Sequence, residues 1–250
     1  MAKYDVIYSL GCNCAAAEYL RKYGLRCAAG PFDWIAAENG YAPWETILDR
    51  FQHFLVLEKL EKCSNQTAGS ENCLYRHSQT GYVFYHDFTW NAPFEEQLPA
   101  VLQKYRRRAG RFLADLESSK RVLLVWYGES GITLEKVRLE YYTKCLRQKY
   151  GKHIDTLVLQ YAKTEQNPQI ITEDGLSVYQ WPDNHIKNRQ DGFLLWDRDT
   201  LGPVFASLWL SKSFLFRIRQ KLVNMAVHVA AWFIFNRSAR HQFVEKYTKA

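Results

Sequence analysis

The feature that most limits the fold of this chain is its alternation between two hydrophobic periods. Asp5–Leu10, Arg121–Tyr127, Ile154–Gln160 and Leu176–Trp181 are apolar runs of strand length. Between them the apolar spacing lengthens to three and four residues. Pro93–Leu116 carries Phe94, Leu98, Val101, Leu102, Tyr105, Phe112 and Leu116 along one helical stripe. Cys14–Tyr23 and Leu134–Tyr150 are further helices, each followed by a glycine that ends it, Gly24 and Gly151. Short strands separated by helices of this length predict an α/β fold with a mainly parallel sheet and helices on both faces. Pro43 opens another predicted helix running to about Lys59, Tyr82–Phe88 alternates as a strand, and the polar stretch Lys62–Thr80 is expected to be irregular.

A chain of 250 residues is long enough to bury a core without disulfides or metals. Its 47% hydrophobic content, with no low-complexity tract or fixed-period repeat, excludes a disordered chain or a repeat array. The predicted organisation is one α/β domain over residues 1–205 that carries the site, with a helical tail over 206–250. Met1–Asp5 runs straight into the first strand with no signal-peptide pattern, so a cytoplasmic protein with reduced thiols is expected. Cys63 and Cys73 would pair only in an oxidising compartment.

The net charge of +7 is concentrated in the tail, where residues 211–250 hold eight basic side chains and one acidic. The remainder is balanced, so no nucleic-acid partner is expected. Lys104–Arg108 is a charge run on a predicted helix, which a solvated face explains.

In parallel α/β sheets ligands sit beyond the carboxyl ends of the strands, which directs attention to Gly11–Cys14, Gly128–Gly131 and Trp181–His185. The first of these turns is the strongest candidate. Gly11 gives a sharp exit from the strand, Asn13 is a good helix cap, and Cys14 then falls in the first helical turn. There the unpaired N–H groups and the helix dipole favour a thiolate. A small buried cysteine packing the helix on the sheet is the competing reading.

A thiol nucleophile needs a base and a group that orients the base. His86, at the end of the Tyr82–Phe88 strand, is the first candidate base, with Asp87 or Asp33 as its partner. His77 is a weaker candidate, and His53 and His228 lie in helical patterns. Cys12 and Cys14 lack a second Cys or His pair at zinc spacing, so neither a metal nor a cofactor is expected. Ser9 with Asp183 and His185 would form a serine triad of unusual spacing. Gly128-Glu129-Ser130-Gly131 lacks the lysine of a phosphate loop and is expected to be a plain turn. Trp34, Trp90, Trp181 and Trp196 could stack on sugar rings or anchor the core.

Ser9-Leu10-Gly11, Cys14, Leu20, Arg26, Pro31-Phe32-Asp33-Trp34 and His86-Asp87 together resemble a functionally uncharacterised bacterial family named for papain-like cysteine peptidases. The resemblance implies Cys14 as nucleophile and His86 as base. A papain-type fold pairs a helix-borne cysteine with a histidine on an antiparallel sheet, whereas this sequence reads as a parallel α/β layer, so the resemblance is carried over for its chemistry and not for its fold. Asp33 and Asp87 complete the candidate catalytic set, and Ser9, Gly11, Asn13, Phe32 and Trp34 the candidate substrate-binding set.

In the tail, Phe214, Leu215, Ile218, Leu222, Met225, Val229, Trp232 and Phe233 recur at helical steps between clusters of Arg and Lys. This is the pattern of a basic amphipathic helix that lies on an anionic membrane surface or packs on the domain. Its longest apolar run falls short of the ~20 residues a membrane span needs. The ending is similar to the basic tails of bacterial transferases that assemble lipopolysaccharide or capsule. Two functions are therefore carried forward. One is a Cys14–His86 hydrolase or acyl transferase acting on a small-molecule, glycan or peptide substrate. The other is a transferase of surface-glycan assembly, peripheral at the inner face of the membrane, in which Asp33, His86 and Asp87 act and Cys14 is structural. A non-catalytic binding domain stands behind both.

Overall fold

The computed structural model describes residues 3–64, 69–128, 132–162, 168–182 and 198–211, together with residues 222, 225–227, 229–234 and 240. The chain begins with β1 (Lys3–Tyr4), β2 (Val6–Ser9) and α1 (Ala15–Lys22). It continues through β3 (Ile35–Ala37), α2 (Ala42–Leu48), a 3-10 turn at Leu57–Lys59, β4 (Leu60–Lys62), β5 (Tyr75–His77) and β6 (Tyr82–Phe84). The long α3 (Phe94–Ser118) leads to β7 (Val122–Tyr127), α4 (Lys136–Tyr150) and β8 (Ile154–Ala162). β9 (Gln169–Glu173), β10 (Leu176–Pro182), α5 (Arg198–Ala206) and β11 (Trp209–Leu210) follow.

The central sheet has the order β2-β7-β8-β10-β9. Its first four strands are parallel, and β9 runs antiparallel to β10 at the edge. β7 is buried at all six positions, as expected of a strand covered on both faces. Alternate side chains go to opposite faces and divide the interior into two cores. Ile7, Leu123, Val125, Tyr127, Leu157 and Leu159 pack against Ala15, Ala16, Tyr19 and Leu20 of α1 and Leu201 and Phe205 of α5. Val6, Tyr8, Val122, Leu124, Trp126 and Val158 face the other way, toward α2, α3 and α4. The mostly parallel sheet with helices on both faces is thus present.

A second sheet lies on that other face, and sequence periodicity did not predict it. β3, β6, β5 and β4 form an antiparallel sheet in that order, each strand only three residues long. β5 falls within the stretch expected to be irregular, and Tyr82–Phe88 narrows to Tyr82–Phe84. The helix expected from Pro43 to Lys59 ends at Leu48, because Arg50 and Phe51 both take positive φ, 57° and 64°. Phe51, Phe54 and Leu57 are fully buried from this turning segment rather than from a helix.

Beyond residue 205, β11 pairs in parallel with β1, and the Ser211 backbone N–H donates to the Tyr4 carbonyl at 2.7 Å. Most of the predicted tail lies outside the described residues, and beyond α5 the described ones with helical backbone are 222, 225–227, 229–232 and 240. Among the described residues, no helix is long and apolar enough to cross a membrane.

Candidate active site

The site begins where β2 leaves the central sheet. The Leu10 N–H donates to the Val125 carbonyl at 2.8 Å, the last bond tying this strand to β7. The chain then turns through two left-handed residues, Gly11 at φ +83° and Cys12 at +80°. A Cβ on Gly11 would lie 3.1 Å from the Phe32 carbonyl oxygen, so both conformation and space call for glycine. The buried Ser9 Oγ accepts the Gly11 N–H at 3.2 Å and braces the turn from behind.

Cys14 is the N-cap of α1, one position earlier than the sequence suggested. Asn13 still satisfies the helix start, its Oδ1 accepting the Ala15 N–H at 2.8 Å. The thiol therefore stands at the positive end of α1, half-buried, while Cys12 is buried.

His86 reaches this thiol from the antiparallel sheet. It lies two residues beyond β6, is exposed, and brings Nε2 to 3.8 Å from Cys14 Sγ. A helix-start cysteine and a histidine at an antiparallel strand end, 72 residues apart in the chain, thus meet across the boundary between the two sheets. The Trp34 ring meets the His86 ring nearly perpendicular, with centroids 6.2 Å apart.

The two candidate carboxylates are occupied elsewhere. The buried Asp33 Oδ2 accepts Arg26 Nε at 3.0 Å, Arg26 Nη2 at 2.7 Å and the Gly30 N–H at 2.8 Å. Burial pushes the Asp33 carboxyl up, and the Arg26 guanidinium pulls it back down. Arg26 also lies over the Trp34 ring, 5.7 Å from its centroid. Asp87, with its side chain only 3% exposed, is ion-paired to Lys104 and accepts the Tyr105 hydroxyl at 2.8 Å. Among the described residues neither carboxylate hydrogen-bonds His86. Asp87 instead anchors the loop carrying His86 to α3, and Asp33 fixes the loop carrying Trp34.

These contacts correct two expectations. Lys104–Arg108 is not wholly a solvated face, because Lys104 holds Asp87 and Tyr105 is fully buried. Burial, followed by the charge of Asp87, raises the Tyr105 hydroxyl well above its usual range. Ser9 and Phe32 offer no surface to a ligand: Phe32 packs against Phe51, Phe54, Tyr82 and Phe112 and supports the Pro31–Trp34 loop from inside. Gly11 and Asn13 are buried in the turn, and of the candidate binding residues only Trp34 is half-exposed. Arg26, Lys104 and Tyr105 are the positioning residues that sequence reasoning did not assign. Arg26 was marked only as part of the family resemblance and Lys104 and Tyr105 only as part of a helical charge run, and neither signal reveals a partner across the fold.

The remaining candidates lie apart from this site. His77 is fully buried, its Nδ1 accepting the Gln79 and Thr80 N–H groups, and burial lowers its pKa. His53 pairs with Asp49 on the surface. Asp183, His185, Trp196 and His228 lie outside the described residues, as do residues 129–131. Trp181 is a core anchor, and Trp90 is half-exposed with Lys62 over its ring. No disulfide links any of the six cysteines, Cys63 and Cys73 included. Among the described residues no three His, Cys, Asp or Glu side chains converge as metal ligands.

An uncharacterized protein of Acanthamoeba polyphaga mimivirus is 28% identical over 142 residues, half of this chain, and the match spans 62% of the relative's own length. No solved structure matches. A family model described as "Putative papain-like cysteine peptidase" matches residues 5–155, from the strand before Cys14 to well past His86. More than half the chain, including both residues of the Cys14–His86 contact, falls in that match, and the protein belongs to this papain-like cysteine peptidase family.

Proposed function

We propose that the protein is a cysteine-dependent hydrolase in which Cys14 is the nucleophile and His86 the general base. The observation that carries this reading is the 3.8 Å approach of His86 Nε2 to Cys14 Sγ at the N-terminus of α1. His86 takes the thiol proton, and the helix terminus favours the resulting thiolate. Sγ attacks an acyl carbonyl carbon, forming a C–S bond as the carbonyl electron pair moves to oxygen. Backbone N–H groups at the start of α1 are the donors available to that oxyanion; the Ala15 N–H is already engaged by Asn13. Collapse of the tetrahedral species expels the leaving group, which takes the proton from His86. Water, deprotonated by His86, then cleaves the thioester and regenerates the thiol. Trp34 keeps the imidazole aimed at Sγ by closing off one side of its ring.

Activity against a panel of activated acyl esters and peptide amides tests this assignment. Cys14→Ala and His86→Ala should each lower turnover by at least ~100-fold, with the circular dichroism spectrum unchanged. The wild type should also accumulate an acyl adduct on Cys14, detectable by mass spectrometry. Full activity in either folded variant rejects it.

A further inference from the structure

The C-terminal segment presents apolar side chains on two opposite sides. Residues 222, 225–227 and 229–232 have helical backbone, so positions three, four and seven apart share a face. On one side Ala231 is buried and Val227 and Ile234 are half-buried. On the opposite side Leu222 is 54% exposed, Met225 59%, Val229 58%, Trp232 81% and Phe233 77%. The outward side is the largest run of exposed bulky apolar residues among those described, and it needs a cover.

Charge identifies the cover. In sequence, Lys212, Arg217, Arg219 and Lys221 precede these residues and Arg237, Arg240, Lys246 and Lys249 follow them, with Glu245 the single acidic residue from 211 to 250. An apolar stripe ending in Trp-Phe and bracketed by cations matches a bilayer interface, where aromatic rings lie at the headgroup level and basic side chains meet lipid phosphates. A nucleic acid would match the cations but leave the stripe uncovered. We propose that this face docks the protein onto an anionic membrane surface, with Trp232 and Phe233 as the inserted pair. The segment would lie on the bilayer, because its longest apolar run, residues 222–235, is interrupted by Asn224 and His228 and falls short of the ~20 residues a span needs. This inference is independent of the thiol chemistry.

The test is sedimentation of the full-length protein with sucrose-loaded vesicles of equimolar phosphatidylglycerol and phosphatidylcholine, and with phosphatidylcholine alone. Binding to the anionic vesicles should be tighter by about tenfold or more, and should weaken as salt screens the attraction. Trp232→Ser/Phe233→Ser, at two exposed positions, should lose most of that binding with an unchanged thermal midpoint. Replacing Arg237, Arg240 and Lys246 with Gln should weaken it while leaving the stripe intact. Equal binding by the double-serine variant, or no preference for anionic vesicles, overturns the proposal. So does a concentration-dependent dimer in vesicle-free buffer that the double-serine variant abolishes, because a second copy would then be the cover.

Discussion

Gly11 and Cys12 make the turn that brings Cys14 to the head of α1, and both sit in the left-handed region at φ +83° and +80°. A β-carbon at Gly11 would incur the left-handed penalty and press on the Phe32 carbonyl at 3.1 Å. Gly11→Ala should therefore cost about 1–3 kcal/mol, read as a lower urea midpoint. A midpoint unchanged from wild type would mean that the turn tolerates another conformation. The glycine was legible in the sequence, since an apolar run ending in Gly signals a sharp exit from a strand. The strain at Cys12 was not, because nothing local distinguishes a left-handed cysteine from an ordinary one. The cap position falls on Cys14 and not on Asn13, a shift that capping preference does not reveal, although Asn13 still supplies the side-chain oxygen that accepts the Ala15 N–H.

At the scale of elements, the site depends on loops held by buried charge. The Pro31–Trp34 turn is fixed by Asp33, 2% exposed, and its ion pair to Arg26 at 2.7 Å. Arg26→Met would leave a buried carboxylate without its cation and should cost about 3–5 kcal/mol in chemical denaturation. Adding Asp33→Asn to that variant should recover part of the loss. A single variant as stable as the wild type would show that Asp33 does not depend on its ion pair. The β6-to-α3 loop is fixed in the same way, through Asp87, Lys104 and Tyr105. Long elements were legible, because α3, α4, β7 and β8 carry periodic apolar patterns over many residues. Of the antiparallel sheet only β6 was legible, within the alternating Tyr82–Phe88 run, because β3, β4 and β5 have three residues each and alternation over three positions carries no signal. Asp87 looked like a partner for His86 only because it is adjacent in sequence; its side chain turns to α3 instead.

Across the whole molecule, the N-terminal strands are tied to two distant segments by one carboxylate. Asp5 accepts the Lys120 and Arg121 N–H groups at 2.8 and 3.1 Å, and the Ser211 hydroxyl. The Ser211 bond and the two backbone N–H groups outweigh burial and hold the Asp5 carboxyl below its usual range. A depressed carboxyl contributes stability above its unfolded pKa of ~3.9 and loses it as pH falls through the folded value. Asp5→Asn should therefore flatten the loss of stability below about pH 4, measured as thermal midpoint against pH. An acid limb as steep as in the wild type would remove Asp5 from that role. The two-faced central sheet was legible from the alternation of strands and helices, but the docking of a second sheet beside it was not, and that docking completes the site. Cys14 comes from one sheet and His86 from the other, so an activated thiol requires the whole arrangement to be as described. The most direct measurement is the pH dependence of Cys14 alkylation by iodoacetamide, followed by mass spectrometry in the wild type and in His86→Ala. An activated pair predicts rapid labelling with an apparent pKa below the ~8.5 of a free thiol, rising when His86 is removed. Slow labelling that does not change in His86→Ala would contradict it and leave Cys14 as a packing residue.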